Sequence, residues 1–172
     1  MAVVDITELI LSDHHEQRRT FAMLDDVDPG DTGTLSALWT RLSTMLEVHA
    51  QAEEELFYPE LLALGRRRHE DAEVEETKDA IGDHNDIRDG ITEAGRHPVG
   101  SAGWWKGVNA AREANDEHMG EEEHDGLADF RRHVDLATRH RIAVAFAAYE
   151  AANVDGVPIV DKDPDQYVRD NS

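Results

Sequence analysis

Apolar residues along this chain return at three- and four-residue intervals, the spacing of one face of an α-helix, and no stretch shows the alternation of a strand. Leu9, Ile10, Phe21 and Leu24 fall near one face behind Asp5-Ile-Thr-Glu8, a capping-box pattern, and this first helix breaks at Asp28-Pro29-Gly30-Asp31. Thr34 is placed to cap a second helix from Leu35 to about Leu64, stopped by Gly65. Pro59, inside that stretch, should kink it or end its first part. A third helix is expected from about Glu70 to Ala94, with Ala80, Ile81, Ile87 and Ile91 on its apolar face and the turn His97-Pro98-Val99-Gly100 behind it. Ser101 caps a fourth reaching about Arg132, and Asp135 begins a fifth, alanine-rich helix ending near Ala152. Beyond it, Gly156, Pro158, Pro164 and several aspartates predict an extended segment. The pattern therefore predicts an all-α protein, an up-down-up-down four-helix bundle with an additional C-terminal helix and an extended acidic tail. The bundle would occupy residues 1–152 and the tail residues 153–172.

One histidine lies near the middle of each of the first four helices. These are His14, His49, His84 and His118, at intervals of 35, 35 and 34 residues. In an antiparallel bundle a constant interval brings the chain back to the same depth, so the four should meet in one layer if all point inward. His14 follows Ile10 and Leu11 and precedes Phe21; His49 lies between Met45-Leu46 and Leu56-Phe57; His84 lies between Ala80-Ile81 and Ile87. Those are same-face offsets of a helix. His118 has the weaker face of Ala111, Ala114 and Asn115. A single histidine on an apolar face is ordinarily a hydrogen-bonded core residue. Four at one depth ask for another explanation.

Glu53 lies four residues after His49, and Glu122 four after His118, so one helical turn puts each pair on a common face. His-x-x-x-Glu means little alone here, because Glu54 and Glu55 lie near His49, and Glu117, Glu121 and Glu123 near His118. The histidine spacing is the specific part. A buried glutamate without a partner is strongly disfavoured or takes up a proton. Two of them beside four imidazoles would be compensated by a pair of metal ions, which the carboxylates could bridge. Imidazole with carboxylate suits iron, with manganese and zinc as competitors.

Composition changes this picture in three ways. There is no cysteine, which excludes a disulfide framework, a thiolate metal site and a cysteine nucleophile, and fits a reducing compartment. Asp and Glu number 38 against 17 Lys and Arg, a formal net charge of −21, so the surface repels nucleic acid phosphates and anionic lipid. No apolar run reaches the roughly 18 to 20 residues of a membrane span, and Met1 to Ile10 lacks the basic start of a signal peptide. Neither nucleic acid nor membrane is expected as a partner, and a cytoplasmic location is expected.

Asp13-His14, His49-x-x-x-Glu53 with Glu54, Asp83-His84, and His118-x-x-x-Glu122-Glu123 together resemble the hemerythrin-like (HHE cation-binding) domain over about residues 5 to 132. The resemblance implies a non-haem centre of two iron ions with a bridging oxygen, bridged also by Glu53 and Glu122. It would place His14 and His49 on one iron and His84 and His118 on the other. One position departs from the pattern. Oxygen-carrying hemerythrins have a fifth histidine one turn after that of the third helix, where this chain has Arg88, which cannot bind a metal. Simple oxygen carriage is thereby put in doubt, and coordination positions are left for an external molecule. Tyr58 is a candidate further ligand in place of that histidine, but it is nine residues from His49 and points elsewhere in a straight helix, with Pro59 altering that geometry. His15, His69, His97, His124, His133 and His140 read as surface or supporting groups, Asp13 and Asp83 as acceptors for ligand imidazoles, and Trp104 and Trp105 as packing for one bundle end.

These features predict an iron protein binding or reacting with small oxidants such as dioxygen, peroxide or nitric oxide, with catalase-like peroxide decomposition as one form. The alternative is an oxygen or iron sensing or storage module without turnover. Residues 153–172 are too short and too acidic for an output domain, which favours an autonomous binder or enzyme. A purely structural role for the histidines is the third reading.

Overall fold

The computed structural model describes residues 3–69 and 71–172; the expected helix start at Glu70 and the first two positions of the expected bundle lie outside them. Helix α1, Ile6–Asp26, starts where Asp5 accepts the Thr7 N–H at 3.0 Å. Glu8 does not close the capping box, because its carboxylate pairs with Arg131 at 2.8 Å. Helix α2, Thr32–Ala52, begins earlier than expected, since Asp31 rather than Thr34 is the cap and accepts the Thr34 N–H at 3.0 Å. It runs through a π-helical turn, Glu53–Phe57, into α3, Tyr58–Arg68. Gly65 does not stop this helix; it is buried within it, and His69 ends it in the left-handed conformation at φ 57°.

Helix α4 is Ala72–Gly95 and α5 is Ala102–His124, the latter capped by Ser101, whose hydroxyl accepts the Trp104 N–H at 3.2 Å. The fourth predicted helix does not continue unbroken to Arg132. It bends at Asp125 and resumes as α6, Gly126–His133. The bend lets the Glu76 side chain lie against Gly126, where a Cβ would collide with it. Helix α7, Leu136–Ala152, is capped by Asp135. The segment predicted as wholly extended is so only in part: α8, Pro164–Asn171, follows it, and Tyr167 and Val168 are buried in the core. It buries only two apolar side chains, too few to give a period in the sequence.

No strand is present among the described residues, and no helix among them is long and apolar enough to cross a membrane. The core has two apolar parts. One gathers Ile6, Ile10, Phe57, Ile81, Phe130 and Phe146; the other gathers Phe21, Leu24, Trp39, Ile87, Trp104 and Val108. Along α1 the first part comes before the second, along α2 after it, along α4 before it, and along α5 to α6 after it. Trp104 and the partly buried Trp105 pack in the second part, as expected. Between the two parts lies a polar layer. Helices α4 and α5 pack most extensively, and two glycines permit it: a Cβ at Gly90 would strike the backbone of Ala111, and one at Gly107 that of Ala94.

Candidate metal centre

The polar layer is where the four histidines meet. His14, His49, His84 and His118 are each 3% exposed or less, and Glu53 and Glu122 share the layer at 0% and 4%. His84 Nε2 lies 3.3 Å from His118 Nε2, and their rings are 4.6 Å apart between centroids; the His14 and His49 rings are 5.2 Å apart. Glu53 sits between these pairs, with Oε1 3.0 Å from His49 Nε2 and Oε2 3.3 Å from His84 Nε2 and 3.6 Å from His118 Nε2. Glu122 Oε2 is 3.5 Å from His14 Nε2. Ligand-type atoms of His14, Glu53, His118 and Glu122 all lie within 4.8 Å of one another. All six side chains singled out in the sequence are therefore in one place.

Every imidazole turns its Nε2 inward and its Nδ1 towards an outer carboxylate. His14 Nδ1 meets Glu123 at 2.9 Å and His84 Nδ1 meets Glu54 at 2.9 Å. His49 Nδ1 has Asp13 at 3.5 Å and Glu150 at 3.9 Å, and His118 Nδ1 has Asp83 at 3.8 Å. A carboxylate can only accept, so it selects the Nδ1–H tautomer and leaves the Nε2 lone pair facing the layer. Asp13 and Asp83 face the imidazoles expected of them, but without a hydrogen bond. Glu54 and Glu123 make that bond from positions next to the inner glutamates. His15, His69, His97, His124 and His133 are exposed, and half-buried His140 contacts the Val4 carbonyl at 2.9 Å.

Tyr58 also reaches the layer, contrary to its straight-helix position. The Tyr58 N–H bonds to the Glu53 carbonyl, five residues back, so the π turn brings Tyr58 under Glu53 where an α-helix would bring residue 57. Pro59 follows directly and offers no N–H, and a wider turn relieves its ring from the carbonyl four residues before it. The Tyr58 hydroxyl donates to Glu122 Oε1 at 3.1 Å and lies 3.4 Å from Glu53 Oε2. The visible signal was a proline one residue after a buried tyrosine, one turn past Glu53. Arg88 is 1% exposed and does not approach the centre as a ligand; it donates to Glu47 at 2.9 Å and to Glu54 at 2.9 Å.

The electrostatics are those of a cage short of positive charge. Burial alone would raise the Glu53 carboxyl, but the charge of His49 and the close approach of His118, His49 and His84 hold it well below the usual range. Burial and the charge of Glu53 push Glu122 well above that range, so of the two inner carboxyls one is ionised and the other keeps its proton. Burial lowers His14, and burial with the charge of His84 lowers His118 to about 4. Burial opposes charge on His49 too, yet Glu53, Asp13 and Glu150 hold it well above its ordinary value. Burial and the charges of Glu122 and Glu53 keep the Tyr58 phenol protonated far above its usual range.

His14 Nε2, His49 Nε2, Glu53 Oε1 and Glu122 Oε2 are buried with no hydrogen-bond partner. A buried polar atom left unpaired costs roughly 1–3 kcal/mol, and more if charged. Four such atoms, each able to bind a metal once its proton is lost, fit a cation. Beside them a cavity of about 10 Å³, room for about one water, is lined by Tyr58, His118 and Glu122 within and by Glu76, Asp83 and Glu121 further out.

Comparison with known families decides what kind of domain this is. Residues 5–140 match the Hemerythrin HHE cation binding domain. The chain belongs to this family. It is thus a helical, metal-binding hemerythrin-family domain, and the buried His/Glu cluster is compatible with that binding. No curated protein and no solved structure matched the chain. Residues 141–172, which include most of α7 and all of α8, lie beyond the family match.

Proposed function

We propose that this hemerythrin-family chain holds two iron ions between His14, His49, His84, His118, Glu53 and Glu122, and binds or reacts with dioxygen, peroxide or nitric oxide there, decomposition of peroxide being one form of that chemistry. The observation that carries the reading is the set of four ligand-type atoms without a hydrogen-bond partner inside a layer of six buried ligand-type side chains. An iron pair, when bound, supplies Lewis acidity and one-electron redox steps that these side chains lack.

The chain's own residues set the terms. Glu53 offers one oxygen to the His49 side and the other to the His84–His118 side, the disposition of a bridging carboxylate. Glu122 has to give up the proton it holds, so metal uptake releases a proton and tightens as pH rises. Tyr58 keeps its proton and donates it towards both glutamates, which fixes their orientation. Arg88 occupies the place of the fifth histidine and is tied to Glu47 and Glu54, so two imidazoles serve each side and room is left for an external molecule. The alternating order of the two apolar parts along α1, α2, α4 and α5 supports an up-down-up-down arrangement around the centre. A net charge of −21 favours small neutral reactants over nucleic acid or anionic membranes as partners.

The test is to mix iron-loaded protein with hydrogen peroxide and follow oxygen release. Turnover well above that of free iron, lost together with metal in His118→Ala, is the expected result. Absence of turnover removes the enzyme reading. A reversible spectral change on cycling oxygen, without turnover, leaves a binding or sensing module.

A further inference from the structure

Glu54 joins a histidine of the centre to a buried arginine, and two further groups reach it from the far end of the chain. It is 2% exposed. Its Oε1 accepts from His84 Nδ1 and from Arg88, each at 2.9 Å, and its Oε2 accepts from Lys162 Nζ. Its backbone carbonyl accepts the Tyr167 hydroxyl. The segment supplying Lys162 and Tyr167 is also clasped to α4 beside His84: Asn85 donates to the Lys162 carbonyl at 2.7 Å and accepts the Lys162 N–H at 3.0 Å. Further along, Lys78 pairs with Asp165 at 3.0 Å and Arg66 donates to the Asn171 carbonyl at 3.2 Å.

Charge shows what this strap contributes. Glu47 and Glu54 are two buried carboxylates, and Arg88 bridges them as one cation. Lys162 is the second cation, so the set balances only with the strap in place. Without it, an uncompensated negative charge would face the Nδ1–H of His84. A more strongly accepting Glu54 makes His84 Nε2 a better electron donor, which favours the higher oxidation state of a metal bound there.

We propose that residues 161–171 form a positioning strap for the metal centre, in which Lys162 and Tyr167 fix Glu54, Glu54 fixes His84, and the strap thereby tunes the affinity and reduction potential of the His84 side. This rests on the reading of His84 as an iron ligand. Lys162 and Tyr167 touch no reacting group; they act through Glu54.

The experiment uses the full-length chain as wild type, Lys162→Met, Lys162→Arg, Tyr167→Phe and His84→Ala, each supplied with iron. The midpoint potential and the rate of ferrous iron loss to a chelator are read. Lys162→Met is expected to lower the potential and to release iron faster, on the order of tenfold, as outer partners of metal-ligating histidines do elsewhere. Lys162→Arg restores both. Tyr167→Phe, which removes one hydroxyl, accelerates release more weakly and carries the test if Lys162→Met does not fold. Potential and release rate equal to wild type in Lys162→Met and Tyr167→Phe, with His84→Ala defective in iron loading, would refute the strap alone. Iron loading by His84→Ala equal to wild type would remove the ligand reading, and the strap with it.

Discussion

At Glu122 a protonated carboxyl stands where an ionised one would meet the charge of Glu53 in a buried layer. Removing its acidity should therefore help the metal-free protein and harm the loaded one. Glu122→Gln is expected to match or exceed the wild type in metal-free stability by urea titration, while taking up less iron. A loss of several kcal/mol in the metal-free protein would contradict this. Tyr58→Phe deletes the hydroxyl that donates to Glu122 beside Glu53 and should cost about 1 kcal/mol without abolishing metal uptake; loss of all metal would make Tyr58 more than a donor. The four inner histidines were legible because their spacing, 35, 35 and 34 residues, survives in the sequence whatever the helices do in detail, and Glu53 and Glu122 because each lies four residues past one of them. Glu54 and Glu123 were visible only as neighbours in glutamate runs, and nothing local tells which member of such a run accepts from an imidazole. Arg88 read correctly as a residue that cannot ligate, but its pairing with Glu47 and Glu54 spans 41 and 34 residues and has no local signature.

Among the elements, three helix starts were legible, while the caps at Asp31 and His69, expected at Thr34 and Gly65, and the irregularities were not. Asp5, Ser101 and Asp135 announce helix starts because the side chain that caps is next to the helix it caps. The π turn at Glu53–Phe57 is invisible to a fixed period, and it is what carries Tyr58 to the centre. The bend at Asp125 and the docking of α8 likewise depend on contacts with Glu76 and Glu54, remote in sequence. The α4–α5 pair offers a clean test at this scale. Gly90→Ala or Gly107→Ala places a Cβ against opposing backbone that cannot rotate away, and should destabilise by roughly 1–3 kcal/mol in urea titration. Gly82→Ala, with nothing within 4 Å of the added Cβ, serves as control and should be neutral or mildly stabilising.

The whole molecule is an acidic body around a cage that wants cations. Glu76, in the outer wall of the cavity beside the centre, is pushed up to about 8 by burial and the charges of Asp125, Asp129, Glu73 and Glu121. Its folded value lies above the unfolded one, so its contribution to stability is full at low pH and is lost as pH rises from about 4 to 8. Metal-free Glu76→Gln should therefore gain on the wild type between pH 5 and pH 8, by up to a few kcal/mol less what solvent screens; an equal pH profile would contradict the burial of that charge. The same field should sort reactants. Azide, an anion, should react with the iron-loaded protein faster as salt screens the −21 charge, whereas hydrogen peroxide should not. The most direct measurement is iron bound per chain, taken with the absorption spectrum of wild type after loading. Two irons per chain with ferric charge-transfer absorption, falling in His49→Ala and in His118→Ala, is the predicted result. One zinc with a featureless spectrum, or little metal of any kind, would contradict the centre built here from six side chains.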